Sequence, residues 1–262
     1  MRKFNQKLII IGGITNGGKT LIFNLLRKED NFISLDISFP HFNVYKDEII
    51  SQIGEENTKR MKCFMETSEI FEPYIFVRKI GFLMKKFPDY NFVIKPGSPS
   101  IAKIKHTKDS RWLEDVKKYA SMELEDIHPI FAIRHPKMGW ATSKTTRENT
   151  IDDFIETWSY ENLIEESKFS EIVKIEDIKH NKLLKSLIKK TDLNKVLPYT
   201  KFDLQVKTLN NFDNLDIDFK KIEESMKGFL KYLNYDTEDE NIQLFMNDYL
   251  SEEDARIDWS RN

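Results

Sequence analysis

Leu8-Ile9-Ile10-Ile11, then Gly12-Gly13-Ile14-Thr15-Asn16-Gly17-Gly18-Lys19-Thr20, then an apolar stretch from Leu21 to Leu26, follow one another without a break. An apolar β-branched run, a cluster of glycines and a helix-forming segment read as strand, phosphate-cradling loop and helix. From Gly13 the stretch fits G-x-x-x-x-G-K-[ST] at every position, and four of the nine glycines fall between positions 12 and 18. Glycines let successive backbone N–H groups turn toward one anion, and the positive end of the next helix adds to that field. A chance fit in a chain of this length arises roughly once in a hundred. The loop is therefore read as an anion cradle made by Thr15, Asn16, Gly17, Gly18, Lys19 and Thr20.

Beyond the loop, strands and helices alternate. Asn31 to Ile37 has strand alternation, Asn91 to Lys95 is a short strand stopped by Pro96-Gly97, and Pro129 to Ile133 is a wholly apolar strand of the kind buried on both faces. Glu171 to Ile175 is a fifth candidate. Helical patterns cover Tyr45 to about Lys86 with interruptions, 110–122, 151–167 and 179–191. Thr150 and Asp153 stand in the spacing of a capping box at the start of the third of these. Residues 193–218 read as irregular, and 219–233 and 239–252 as terminal helices. The pattern predicts an α/β, three-layer P-loop fold with a parallel sheet of four or five strands flanked by helices. It predicts one domain over residues 1–262, with 193–262 a C-terminal helical extension of it. Ligands of such sheets sit outside the carboxyl ends of the strands. The loop, Lys95, Arg134 and Glu176 all fall at such ends.

Composition narrows the class of partner. Among 262 residues, 41 lysines and arginines face 43 acidic residues, so no global field favours nucleic acid or an anionic membrane. Hydrophobic residues make up 40%, enough for one substantial core. The single cysteine, Cys63, cannot form an internal disulfide or a cysteine-cluster metal site. The apolar run near the N-terminus is too short for a signal peptide or membrane anchor, so the expectation is a cytoplasmic protein without a membrane span.

At Ile133-Arg134-His135-Pro136 the chain resembles the sulfotransferases that use 3'-phosphoadenosine 5'-phosphosulfate, a family with the P-loop fold. The family ends a strand in R-[NDH]-P and places a serine eight residues past the arginine, both side chains holding the donor's 3'-phosphate. Here that position is Thr142, with Ser143 one step later, so the resemblance implies Arg134 with either Thr142 or Ser143. Trp158, Tyr160 and Lys174-Ile175-Glu176-Asp177-Ile178 also resemble bacterial members, and Lys95-Pro96 stands where the family often closes its third strand with lysine. The resemblance spans about residues 8 to 180. The family's first loop carries a basic residue where this chain has Asn16, which leaves Lys19 to supply the cation near the bridging oxygen. What the resemblance implies is sulfuryl transfer to a hydroxyl-bearing acceptor, with no metal, and with Lys19 and Lys95 as catalytic cations. The family's usual base position, two residues past that lysine, is Gly97. His41, Asp36 and Glu48 are the alternatives, with His41 favoured because an imidazole titrates near neutrality.

The first loop also resembles that of nucleoside kinases, the nicotinamide riboside kinases in particular. That resemblance implies Lys19 on the β- and γ-phosphates of ATP, Thr20 as a magnesium ligand and Asp36 as the base. It leaves Arg134-His135-Pro136 unexplained, and the arginine-rich lid of those kinases has no counterpart in the sequence. A third reading is a nucleotide-binding module without catalysis. Trp140, Glu176 and the basic run from Lys179 to Lys190 read as core, a loop tie and a solvated helix face.

Overall fold

The computed structural model describes residues 6–14, 16–36, 54–56, 58, 81, 83–95, 126–146, 150–159, 163–164, 167, 170–196 and 215–235. Its centre is a sheet of five parallel strands: β1 (Leu8–Gly12), β2 (Phe32–Asp36), β3 (Asn91–Lys95), β4 (Ile127–Ile133) and β5 (Glu171–Lys174). Their order is β2-β3-β1-β4-β5. Among the described residues the helices that frame the site are α1 (Lys19–Leu26), α2 (Pro136–Thr146), α3 (Ile151–Thr157), α4 (Lys182–Leu187), α5 (Leu215–Ser225) and α6 (Lys227–Tyr232). This is the α/β three-layer arrangement that the alternation of strands and helices predicts.

Each strand is where its residues require it to be. β1 is flanked by β3 and β4, with Leu8, Ile9, Ile10 and Ile11 all buried, as a central parallel strand covered on both faces must be. β4 alternates: Ile130 and Ala132 join one core cluster, Phe131 and Ile133 the other. Pro129, which cannot donate to a ladder, pairs with Ile10 at a point where β5 has not yet begun alongside. α1 and α4 pack into the first cluster through Ile22, Phe23, Leu26, Leu184 and Leu187. α2, α3, α5 and α6 pack into the second through Trp140, Phe154, Ile222 and Phe229.

Several helix boundaries differ from the sequence reading. The helix expected over 151–167 is interrupted after Thr157, where Trp158 takes φ −95° and ψ 21° and turns its ring into the core between Phe154 and Phe229, and residues 163, 164 and 167 are again helical. Its start is as expected: Thr150 Oγ1 accepts from the Asp153 amide at 3.2 Å and Asp153 returns the bond to the Thr150 amide at 3.1 Å. The basic helix of 179–191 shortens to α4, because Asn181 caps it from within by accepting from the Leu184 amide at 2.8 Å. α5 covers Leu215–Ser225, which includes part of the stretch read as irregular, and is separated from α6 at Met226. His41, Glu48, Thr15, Gly97, Tyr160, the expected helices 110–122 and 239–252, and most of Tyr45 to Lys86 lie outside the described residues. Among the described residues no helix is long and apolar enough to cross a membrane.

Candidate functional site

The chain leaves β1 toward β2 on one side of the sheet and leaves β4 toward β5 on the other, so the strand order reverses between β1 and β4. At such a reversal the two outgoing connections part and open a crevice above the carboxyl ends. The glycine loop fills that place. Gly13 adopts φ +130°, and a β-carbon there would lie 2.3 Å from the Ala132 carbonyl oxygen of β4. No side chain fits, and the loop lies directly on the neighbouring strand. Asn16 follows at φ 62°, the Gly17 amide donates to Ile14 O at 3.1 Å, and Gly18 at φ +96° precedes the first residue of α1.

Lys19 is the first residue of α1, yet its side chain turns back over the loop. Its ammonium donates to Gly13 O at 2.6 Å and to Ile14 O at 2.9 Å. Two carbonyl dipoles thus hold a positive charge at the loop, beside the amide-rich start of the helix.

Lys95 closes β3 and approaches the same helix turn from the other side. It is buried at 8% exposure, with Nζ 3.3 Å from Thr20 Oγ1 and 5.5 Å from the centre of the Phe23 ring. Asp36 is its register partner on β2. The third cation comes from β4. Arg134 is 2% exposed, and a β-carbon placed on Gly18 would sit 3.4 Å from its Nη2 and 2.4 Å from Cγ1 of Ile175. Three cations, Lys19 from the start of α1 and Lys95 and Arg134 from two strand ends, therefore gather about one loop and the first turn of its helix, the convergence of groups an anion site requires.

The residue after Arg134 is tied to a carboxylate. Glu176, just past β5, turns its carboxyl inward, accepting from the His135 amide at 2.7 Å and from the Tyr235 hydroxyl at 3.0 Å. Burial pushes this carboxyl up from the ordinary range, opposed by those hydrogen bonds and by the charge of Arg134. Tyr235 is pushed well up by burial and then by the adjoining Glu176. The His135 ring, which accepts from the Lys137 amide through Nδ1 at 3.2 Å, meets Tyr235 edge-on at 5.1 Å.

Of the residues expected to bind or react, Asn16, Gly17, Gly18, Lys19, Thr20, Lys95 and Arg134 are brought together. Arg134 reaches the site under cover, against Gly18. Thr142 and Ser143 lie in the body of α2, and Ser143 is buried at 1% exposure. Trp140 is core, its indole N–H donating to Asp218 at 3.1 Å. Glu176 is a tie between loops. Tyr235 was missed by the sequence reading: it lies 59 residues from Glu176, and no local pattern marks it. Among the described residues no group of three or more His, Cys, Asp or Glu side chains is placed to hold a metal ion.

No protein-family model matches the chain, and no curated protein matches it.

Proposed function

We propose that the loop binds the 5'-phosphosulfate end of 3'-phosphoadenosine 5'-phosphosulfate and that the protein transfers the sulfuryl group to an acceptor hydroxyl. The observation that carries this reading is the ammonium of Lys95 at the Thr20 hydroxyl. In an ATP enzyme with this loop, that hydroxyl ligates magnesium together with an acidic side chain. A lysine at the hydroxyl supplies positive charge there without a metal, which suits a donor whose leaving group is a phosphate monoester and whose transferring group is already an anion.

The chemistry needs little beyond placement and charge. The acceptor oxygen bonds to sulfur as the bond from sulfur to the bridging oxygen breaks, and the electron pair leaves on adenosine 3',5'-bisphosphate. In this reading Lys19 and Lys95 supply the positive charge that stabilises the leaving group. The acceptor's proton goes to a base, for which His41 is the sequence candidate.

Calorimetric titration with adenosine 3',5'-bisphosphate and with ATP, each with magnesium and with chelator, tests the reading. The expected result is bisphosphate binding that chelator leaves unchanged. Tight ATP binding that needs magnesium, with none for the bisphosphate, overturns it in favour of the kinase that Lys19-Thr20 also suits; binding of neither leaves a module without this chemistry.

A further inference from the structure

Two separate parts of the chain meet at the carboxyl of Glu176. The Arg134-His135 pair just past β4 reaches it through the His135 amide, with the charge of Arg134 acting on it, and Tyr235, three residues past α6, reaches it through its hydroxyl. Tyr235 is itself fixed on every side. Its amide donates to Leu230 O at 2.8 Å, its ring lies edge-on to His135, and the Lys174 ammonium stands 4.7 Å over the ring centre. Lys174 also donates to Asn234 O at 3.3 Å, pinning the turn in which Asn234 takes φ 52°. One residue before Glu176, Ile175 presses on Gly18, whose other close neighbour is the Arg134 guanidinium. The sulfuryl transfer above uses neither Glu176 nor Tyr235, so this construction is unexplained by it.

We infer that Glu176 and Tyr235 are positioning residues that hold the Arg134 guanidinium beside Gly18, so that its charge strengthens anion binding in the loop. An arginine left to itself samples many rotamers and loses that freedom when a ligand arrives. A carboxylate in the right place fixes the guanidinium beforehand, and the carboxylate must be fixed in turn. The Tyr235 hydroxyl and the His135 amide do this from opposite sides of Glu176. Residues 215–235 thereby take part in the site from a helix pair distant in sequence from the loop. The inference rests on the reading of the loop as an anion site and not on which nucleotide fills it.

A double-mutant cycle tests it. Tyr235→Phe removes one hydroxyl and keeps the ring; Arg134→Lys keeps the charge and removes the planar fork, avoiding an uncompensated Glu176. Affinity for adenosine 3',5'-bisphosphate is measured for the wild type, both single variants and the double variant, with thermal unfolding alongside. Tyr235→Phe is expected to weaken binding about five-fold in the wild-type background and less than about two-fold beside Arg134→Lys, the non-additivity of coupled neighbours. Equal losses in both backgrounds, or a lowered unfolding temperature with unchanged affinity, overturn the inference by making the hydroxyl merely structural. If ATP with magnesium is the anion that binds, the cycle is read with ATP, and only the sulfotransferase reading falls. If the wild type binds neither, both fall together.

Discussion

The two faces of the sheet are packed from different materials. Under α1 and α4 lie chiefly aliphatic side chains, among them Ile9, Ile11, Ile22, Leu26, Ile130, Val173 and Leu184. On the other face a file of rings runs from Trp140 to Phe154 at 5.3 Å, on to Trp158 at 4.9 Å, Phe229 at 6.3 Å and Tyr235 at 6.4 Å, and ends edge-on at His135. Aliphatic packing tolerates small changes of shape, whereas stacked and edge-on rings fix one another's orientation. Polar ties also bind α5 to the ring face: Trp140 to Asp218, Lys137 to Glu223 and Lys221 to Asp152. One face therefore chiefly holds the sheet together, while the other also carries a fixed geometry to the residue next to Arg134.

The largest expected effect breaks the ring face. Trp158→Ala removes a ring at 1% exposure and should cost about 4 kcal/mol of unfolding free energy. Urea unfolding gives the number, and a loss below about 1 kcal/mol would mean the file is not structural. Gly13→Ala comes next, because the new methyl meets the Ala132 carbonyl and the backbone sits at φ +130°. It should cost about 3 kcal/mol and disrupt the loop. On the aliphatic face, Ile22→Val should cost only about 1 kcal/mol and leave nucleotide affinity as it was; a matching loss of affinity would erase the distinction between the faces.

The smallest effect sharpens the comparison through pH. The folded pKa of Glu176 is raised above 4.5 chiefly by burial, so the ionised carboxyl is less favourable in the fold than in the unfolded chain. Its stabilising contribution is fully present below 4.5 and is lost as pH rises through the folded value. Relative to Glu176→Gln, the wild type should therefore gain stability as pH falls from neutrality toward 4.5. A flat difference across that window, in urea unfolding of both proteins, would show that the carboxyl feels no such burial.

The strands and the loop were legible because each is written locally. Four consecutive apolar residues before glycines, and five before Arg134, leave few other readings. The capping box at Thr150 was legible for the same reason. The end of α3 was not: Trp158 fits a continuing helix by pattern, and it turns inward only because Phe229 and Gly139 leave room for its ring. Lys95 could be placed at a strand end, yet its approach to Thr20 depends on β3 lying beside β1, a pairing that no single segment encodes. Tyr235 is further from reach still, since its role comes from two helices folding back over the sheet.

The ammonium of Lys19, resting on the carbonyls of Gly13 and Ile14, bears on how fast a ligand is captured. With that lysine already seated, an anion bound as proposed would meet its charge at first encounter. Association should then rise linearly with ligand concentration, without the plateau that a slow rearrangement imposes, and slow as salt screens the approach.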